Sequence, residues 1–157
     1  EATSEEKHKY KFVDIGANIL DDRYQGIYRG TDRHEPDLGL VLERAAGEGV
    51  RRIVVTAGTV EESRKAVEFC RSWNQKFNKI HFSCTVGVHP TRCQQEFADK
   101  DENDHDILQQ LVDIALDGKE DGTVVAVGEI GLDYERLQFS PKDIQQKYLI
   151  LQLQVLA

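Results

Sequence analysis

The stretch VVAVGEIGLDY, Val124–Tyr134, decides how the chain is read. Its small aliphatic residues suit a strand buried on both faces, as in parallel sheets. Yet the run ends in Glu129, with Asp133 four residues later. An ionised carboxylate on the inward side of a core strand is costly unless a cation or hydrogen-bond donors meet it. Either a metal or a base waits beside Glu129, or the strand ends at solvent and the glutamate is ordinary.

Three earlier stretches repeat the pattern. YKFVDIGANI (10–19), RRIVVTAG (51–58) and KIHFSCTVGVHP (79–90) read as strands, and TVVAVGEIGLDY (123–134) is a fourth with its exit loop. A polar loop runs from the first strand to about Glu35. Helices are expected at 36–49, 59–77, 104–118 and 140–157. Pro36 suits the first turn of the first helix, and Gly47 and Gly49 mark its end. Thr59 with Glu62 forms a capping box for the second, in which Trp73 reads as core or helix–sheet packing. An acidic loop follows Pro90, and Gly118 is the expected stop of the third helix. Ser140 as N-cap and Pro141 at the first helical position open the fourth.

Four β/α units call for a parallel sheet covered by helices. Doubly wound sheets and (β/α)8 barrels share this local pattern, and a barrel typically needs roughly 250 residues, so four units make half of one. The last helix runs to LQLQVLA without a capping glycine or closing proline, which reads as an interrupted domain. Residues 1–10 read as a flexible lead-in and 11–157 as the domain.

The composition agrees with one soluble globular domain: 157 residues, 39% hydrophobic, 31% charged, net charge −8. The acidic balance argues against binding nucleic acid through a broad basic face. It leaves room for an enzyme that handles phosphates through bound cations, which the count omits. Cys70, Cys84 and Cys93 are odd in number with no CxxC spacing, so a disulfide framework and a cysteine zinc site are not expected. No apolar run approaches the roughly 18 residues of a spanning helix. The expected location is cytoplasm or nucleus.

Ligands of parallel α/β folds bind outside the carboxyl ends of the strands. With a period of two, Asp14, Gly16 and Asn18 share one face of the first strand, Thr85, Gly87 and His89 one face of the third, and Val125, Val127 and Glu129 one face of the fourth. Three strands thus finish in Asn, His and Glu, which points to a polar cluster at one rim. Carboxylate oxygens suit Mg²⁺ and Mn²⁺, and imidazole with carboxylate also suits Zn²⁺. A glutamate can bridge two cations about 3.5–4 Å apart.

The segments FVDIGANI, GIYRG, IVVTAGTVEES, TVGVHPTRC and VAVGEIGLDYERLQFSPKDIQQKY, in this order, resemble the TatD-type metal-dependent deoxyribonucleases, most closely their eukaryotic branch. The resemblance implies a TIM-like barrel of the amidohydrolase kind with one or two divalent ions at the strand C-termini. It also implies hydrolysis of DNA phosphodiester bonds, of exonuclease type. Glu129 matches the family's metal-ligating glutamate. The family's usual Asp-x-His-x-His reads here Asp14-Ile15-Gly16-Ala17-Asn18, so both histidines are replaced and Asn18 is the remaining candidate ligand. The family's other ligands, two histidines and an aspartate from later strands, have no counterpart in this chain. The alternative is therefore a catalytically incomplete fragment that folds or functions only through association with a partner chain.

Other candidates keep two readings each. Asp133 orients a water or hydrogen-bonds a neighbouring loop. His89 contacts a substrate phosphate or acts beside the metal, against a structural role capping its strand. Arg92 and Arg29 are candidate phosphate clamps against ordinary surface arginines. Tyr28 and Tyr134 stack on a base or pack at the rim. Asp14 anchors the site or meets a buried partner. His8, His34, His81 and His105 have no ligand spacing. Cys93 lacks a partner base and is not read as a nucleophile. No GxGxxG or GxxxxGK[ST] follows any strand, which argues against a small nucleotide-binding domain.

Overall fold

A computed structural model describes residues 10–98 and 103–156. The expected lead-in, with His8, lies outside the described residues except for Tyr10. In chain order the elements are β1 (Phe12–Ala17), a 3-10 turn (Asp22–Gln25), β2 (Ile27–Tyr28), β3 (Thr31–Asp32), α1 (Leu38–Gly47), β4 (Val50–Val55), α2 (Val60–Lys76) and β5 (His81–Val86). A 3-10 turn at Pro90–Arg92, a π-helix at Gln94–Ala98, α3 (Asp104–Glu120), β6 (Val124–Val127), a 3-10 turn at Tyr134–Arg136 and α4 (Lys142–Leu156) complete the described residues. None of the described helices is long and apolar enough to cross a membrane.

The four long strands form one parallel sheet in the order β1-β4-β5-β6. That order settles the choice left open by the β/α pattern. A doubly wound sheet reverses its strand order at a switch point; here each long strand lies beside the one before it, as in the wall of a (β/α) barrel. The fold is thus the expected TIM-like arrangement of four β/α units. β5 is buried along most of its length, with Phe82, Cys84 and Val86 fully covered. The outer strands are open: Ile15 of β1 is 76% and Val125 of β6 54% exposed.

The core lies between the sheet and α1–α3. Phe82 meets Phe69 edge-on at 5.7 Å between ring centroids, and Trp73 stacks on Phe69 at 5.6 Å, so Trp73 joins α2 to the sheet as expected. Each such aromatic pair adds about 0.5–1.5 kcal/mol beyond the area it buries.

Several local expectations are corrected. The loop read as running to Glu35 contains the β2–β3 hairpin, whose turn residues Arg29 and Gly30 both have positive φ, 51° and 72°. Two residues of positive φ give the turn that matches strand twist in a two-residue hairpin. The acidic loop after Pro90 includes a short π-helix, Gln94–Ala98. Gly118 does not stop α3, which continues to Glu120. A Cβ at Gly118 would meet Val124 Cγ2 at 2.2 Å, so the glycine lets helix and strand approach. The Thr59 hydroxyl caps α2 by accepting from Glu62 N at 3.0 Å, but the Glu62 carboxylate returns to Gly58 N at 2.8 Å rather than to the cap residue. Ser140 is buried with its hydroxyl unpartnered among the described residues, and α4 begins at Lys142, so Ser140 is not the cap.

Candidate active site

β1 pairs with β4 through an irregularity: Asp14 lies opposite Ile53, whereas Ala17 lies opposite Val55. Three residues on β1 therefore match two on β4, and a bulge of this kind resets which side chains share a face. The alternation expected from Asp14 to Asn18 is broken. Gly16 and Asn18 line a cleft at the carboxyl rim, and Asp14 is exposed, its carboxylate accepting from Gly16 N at 3.1 Å.

His89 reaches the same cleft because its backbone is tied to the neighbouring strand end, His89 N donating to Gly58 O at 3.0 Å. The Thr91 N–H donates to His89 Nδ1 at 3.2 Å, and the Thr91 hydroxyl lies 2.8 Å from the same nitrogen. A backbone N–H only donates, so Nδ1 is the acceptor and the neutral ring carries its proton on Nε2. In this state His89 offers a donor, which suits a phosphate oxygen.

Glu129 arrives by crossing the sheet. Gly128 N donates to Val86 O of β5 at 3.0 Å and Glu129 N to Ala57 O, just beyond β4, at 3.2 Å. The crossing needs Gly87 beneath it, where a Cβ would meet Ile130 Cγ2 at 2.7 Å. Glu129 is exposed at the rim, so no carboxylate is buried in the strand.

The structure thus brings Asn18, His89, Arg92 and Glu129 to one cleft of about 290 Å³. A larger adjoining cleft, about 600 Å³, shares Asn18, Thr56, Glu62 and Arg92 with it and adds Tyr28 and Arg29. Two of its cations are already paired, Arg23 with Asp21 at 2.9 Å and Lys65 with Glu61 at 2.6 Å. Arg29 and Arg92 have no carboxylate partner among the described residues. The Arg29 guanidinium lies 5.3 Å from the Tyr28 ring centroid.

Asp133 is not brought into either cleft. Its carboxylate accepts from Arg136 Nη1 at 2.7 Å, and its backbone is held by Gln145. Tyr134 also lies outside both clefts and bonds Gln146 through its hydroxyl. Burial, with the Glu96 charge added, pushes the Cys93 thiol up to about 12, which keeps it neutral and inert. Sequence reasoning missed Glu62 and Thr56 as rim residues. Their signal was positional, because Thr56 stands near the end of the stretch 51–58 and Glu62 just after it, and both line the clefts with Asn18, but Glu62 reads as a cap.

The donor set does not complete a metal centre. Among the described residues, no three His, Cys, Asp or Glu side chains gather around one point. Glu62 is engaged by Gly58 N, and the His89 Nδ1 lone pair by Thr91. Glu129 and Asn18 would leave most positions of a hard cation unfilled, since such ions take six or more oxygens.

The chain is similar to known proteins along most of its length. A profile of the family described as "TatD related DNase" matches residues 13–156. "Deoxyribonuclease Tat-D" of Schizosaccharomyces pombe is 39% identical over 92% of this chain, which spans 44% of that protein's length. A hydrolase of the TatD family from Entamoeba histolytica, known from its crystal structure, is 39% identical with a TM-score of 0.77, over 90% of this chain and 44% of that one. An uncharacterized amidohydrolase from Saccharomyces cerevisiae, also a crystal structure, superimposes with a TM-score of 0.83 at 31% identity, over 92% of this chain and 43% of that one. With its strand order, its rim cleft and a profile match along nearly its whole described length, the chain belongs to the TatD-related DNase family.

Proposed function

We propose that the chain serves a metal-dependent deoxyribonuclease that hydrolyses DNA phosphodiester bonds from an end. The observation that carries this is the convergence of Asn18, His89, Arg92 and Glu129, from beyond the carboxyl ends of β1, β5 and β6, on one cleft. In this reading His89 donates its Nε2 proton to a phosphate oxygen, while Arg92 and Arg29 hold flanking phosphates across the two adjoining clefts. Arg29 supports its assignment by position, at the turn of the β2–β3 hairpin and lining the larger cleft. Glu129 and Asn18 supply part of the donor set for Mg²⁺, Mn²⁺ or Zn²⁺. Asp133 acts on the loop that carries Glu129, through its pairing with Arg136. The location proposed with this reading is the nucleus or cytoplasm, where DNA of this kind is met.

End-labelled DNA incubated with the chain and each ion in turn tests the reading. A ladder shortening from one end is expected, whereas a single internal cut would overturn the exonuclease mode. A folded chain that cleaves with none of the three ions would overturn activity by this chain alone.

That last outcome leads to the second reading, activity or folding only with a partner chain. The incomplete donor set favours it, as do the exposed Val13 and Ile15 of β1 and Val125 and Val127 of β6. Open strand edges with apolar side chains are templates for pairing. Light scattering across a hundredfold concentration range decides it: a constant monomer mass would remove self-association.

A further inference from the structure

α4 buries the side chains that its composition would place in solvent. Gln145, Tyr148 and Gln152 are buried, while Ile150, Leu153 and Val155 are exposed. Each glutamine addresses one backbone unit at the rim. Gln152 Oε1 accepts from Val88 N at 2.7 Å, and its Nε2 donates to Val88 O at 3.2 Å. Gln145 Oε1 accepts from Asp133 N at 2.7 Å, and its Nε2 donates to Asp133 O at 2.9 Å and to Ser140 O at 2.8 Å. A side-chain amide with one acceptor and two donors matches a peptide unit the way a neighbouring strand would. Val88 lies past the last residue of β5 and immediately before His89; Asp133 lies past β6, in the loop that carries Glu129. Among the described residues, neither unit has a strand paired beside it.

We propose that Gln145 and Gln152 are positioning residues, a two-point clamp by which α4 fixes the His89 loop and the Glu129 loop relative to each other. The two sit seven positions apart, two turns along one face of the helix, so one rigid element sets both loops. Their complete burial makes the pairing obligatory, because a buried amide or peptide group left unpaired is costly. A catalytic role for His89 and Glu129 rests on the function proposed above, but the clamp itself stands on these bonds and is tested without any cleavage assay.

Amide hydrogen exchange on the unaltered chain is the first test. Val88 and Asp133 lie in loop segments and would ordinarily exchange at loop rates. The clamp requires both to be protected to within about tenfold of the buried α4 amides near Tyr148, since one buried hydrogen bond corresponds to roughly that factor. Loop-like exchange at either residue would overturn the clamp at that glutamine.

The substitutions Gln152→Leu and Gln145→Leu keep volume and remove the bonds. Gln152→Leu is expected to accelerate Val88 exchange by about tenfold or more over the Phe82–Val86 amides. It is also expected to change the imidazole ¹⁵N shifts that report the Nε2–H form of His89, with Glu129 unmoved. Gln145→Leu is expected to do the reverse, moving Asp133 and Glu129 and sparing His89. A uniform change in both loops would mean general loosening and would overturn the positioning role. If both variants unfold, the exchange result on the unaltered chain still decides.

Discussion

Replacing Gly118 by alanine tests how β6, the strand leading to Glu129, is seated. In an exposed helix interior this change stabilises by about 1 kcal/mol, because alanine loses less backbone freedom than glycine. At Gly118 the added Cβ would lie 2.2 Å from Val124 Cγ2, 3.0 Å from Val124 Cβ and 3.2 Å from Val124 N. Valine is stiff at χ1, so the contact is not relieved by a flexible side-chain end. Its backbone is pinned as well, since Val124 lies opposite Cys84 in the β5–β6 pairing. Overpacking of this kind costs about 1–3 kcal/mol, and contact with both side chain and backbone argues for the upper end. Subtracting the propensity gain leaves a net loss of about 2 kcal/mol, or roughly 4–8 °C in Tm for a chain of this size. Gly39→Ala is the control: it lies in α1, a Cβ there would meet nothing within 4 Å, and a gain of up to about 1 kcal/mol is expected. Urea and thermal melts read both. Gly118→Ala melting at or above the parent, with Gly39→Ala behaving as expected, would refute the close α3–β6 contact.

Three further outcomes follow from the same structure. Arg92→Ala should weaken binding to single-stranded DNA and lower the slope of log K against log salt by about 0.7, one phosphate contact, uniformly across sequences; an unchanged slope would remove Arg92 from the phosphate path. Cys70, Cys84 and Cys93 are all buried, so at pH 8 a thiol reagent should leave them unlabelled until urea unfolds the chain, and fast labelling of the native chain would contradict that burial. Asp121 is held down to about 2, first by its hydrogen bond with Thr123 and then by Arg71. A carboxyl lowered in this way stabilises above its unfolded value near 4 and loses that contribution as pH falls toward 2. Asp121→Asn should therefore cost under about 1 kcal/mol at pH 7, as befits a surface pair, with the difference from the parent shrinking below about pH 4 and vanishing only as pH falls through about 2; a difference that grows on acidification would reverse the assignment.

What the sequence made legible was whatever depends on near neighbours. Aliphatic runs and amphipathic spacing located the four long strands and four helices. The endings Asn18, His89 and Glu129 located one rim, because strand direction alone puts them there. Strand order was not legible, since it depends on pairings between residues far apart, and only the observed β1-β4-β5-β6 sequence excludes the doubly wound form. Gly118 looked like a helix stop because a glycine needed for close approach to Val124 has the same letter as one needed for a turn. Glu62 looked like half of a capping box, and its bond to Gly58 N depends on where the preceding loop runs. The glutamines of α4 were invisible for a related reason. Periodicity assigns polar residues to solvent, but Val88 and Asp133 present peptide groups with no strand beside them, and satisfying those groups outweighs burial of Leu153 or Val155.

The central claim is that the rim cleft carrying Glu129 is the site of DNA hydrolysis. Its most direct test is the rate of Mg²⁺- or Mn²⁺-dependent cleavage of labelled DNA by Glu129→Gln beside the parent chain, both shown to be folded. Glutamine keeps the size of the side chain and removes its charge, and a loss of about a hundredfold or more is the expected result, the scale of removing one electrostatically stabilising group from an active site. Cleavage by Glu129→Gln within a factor of two of a parent that cleaves above the metal-free background would contradict the account.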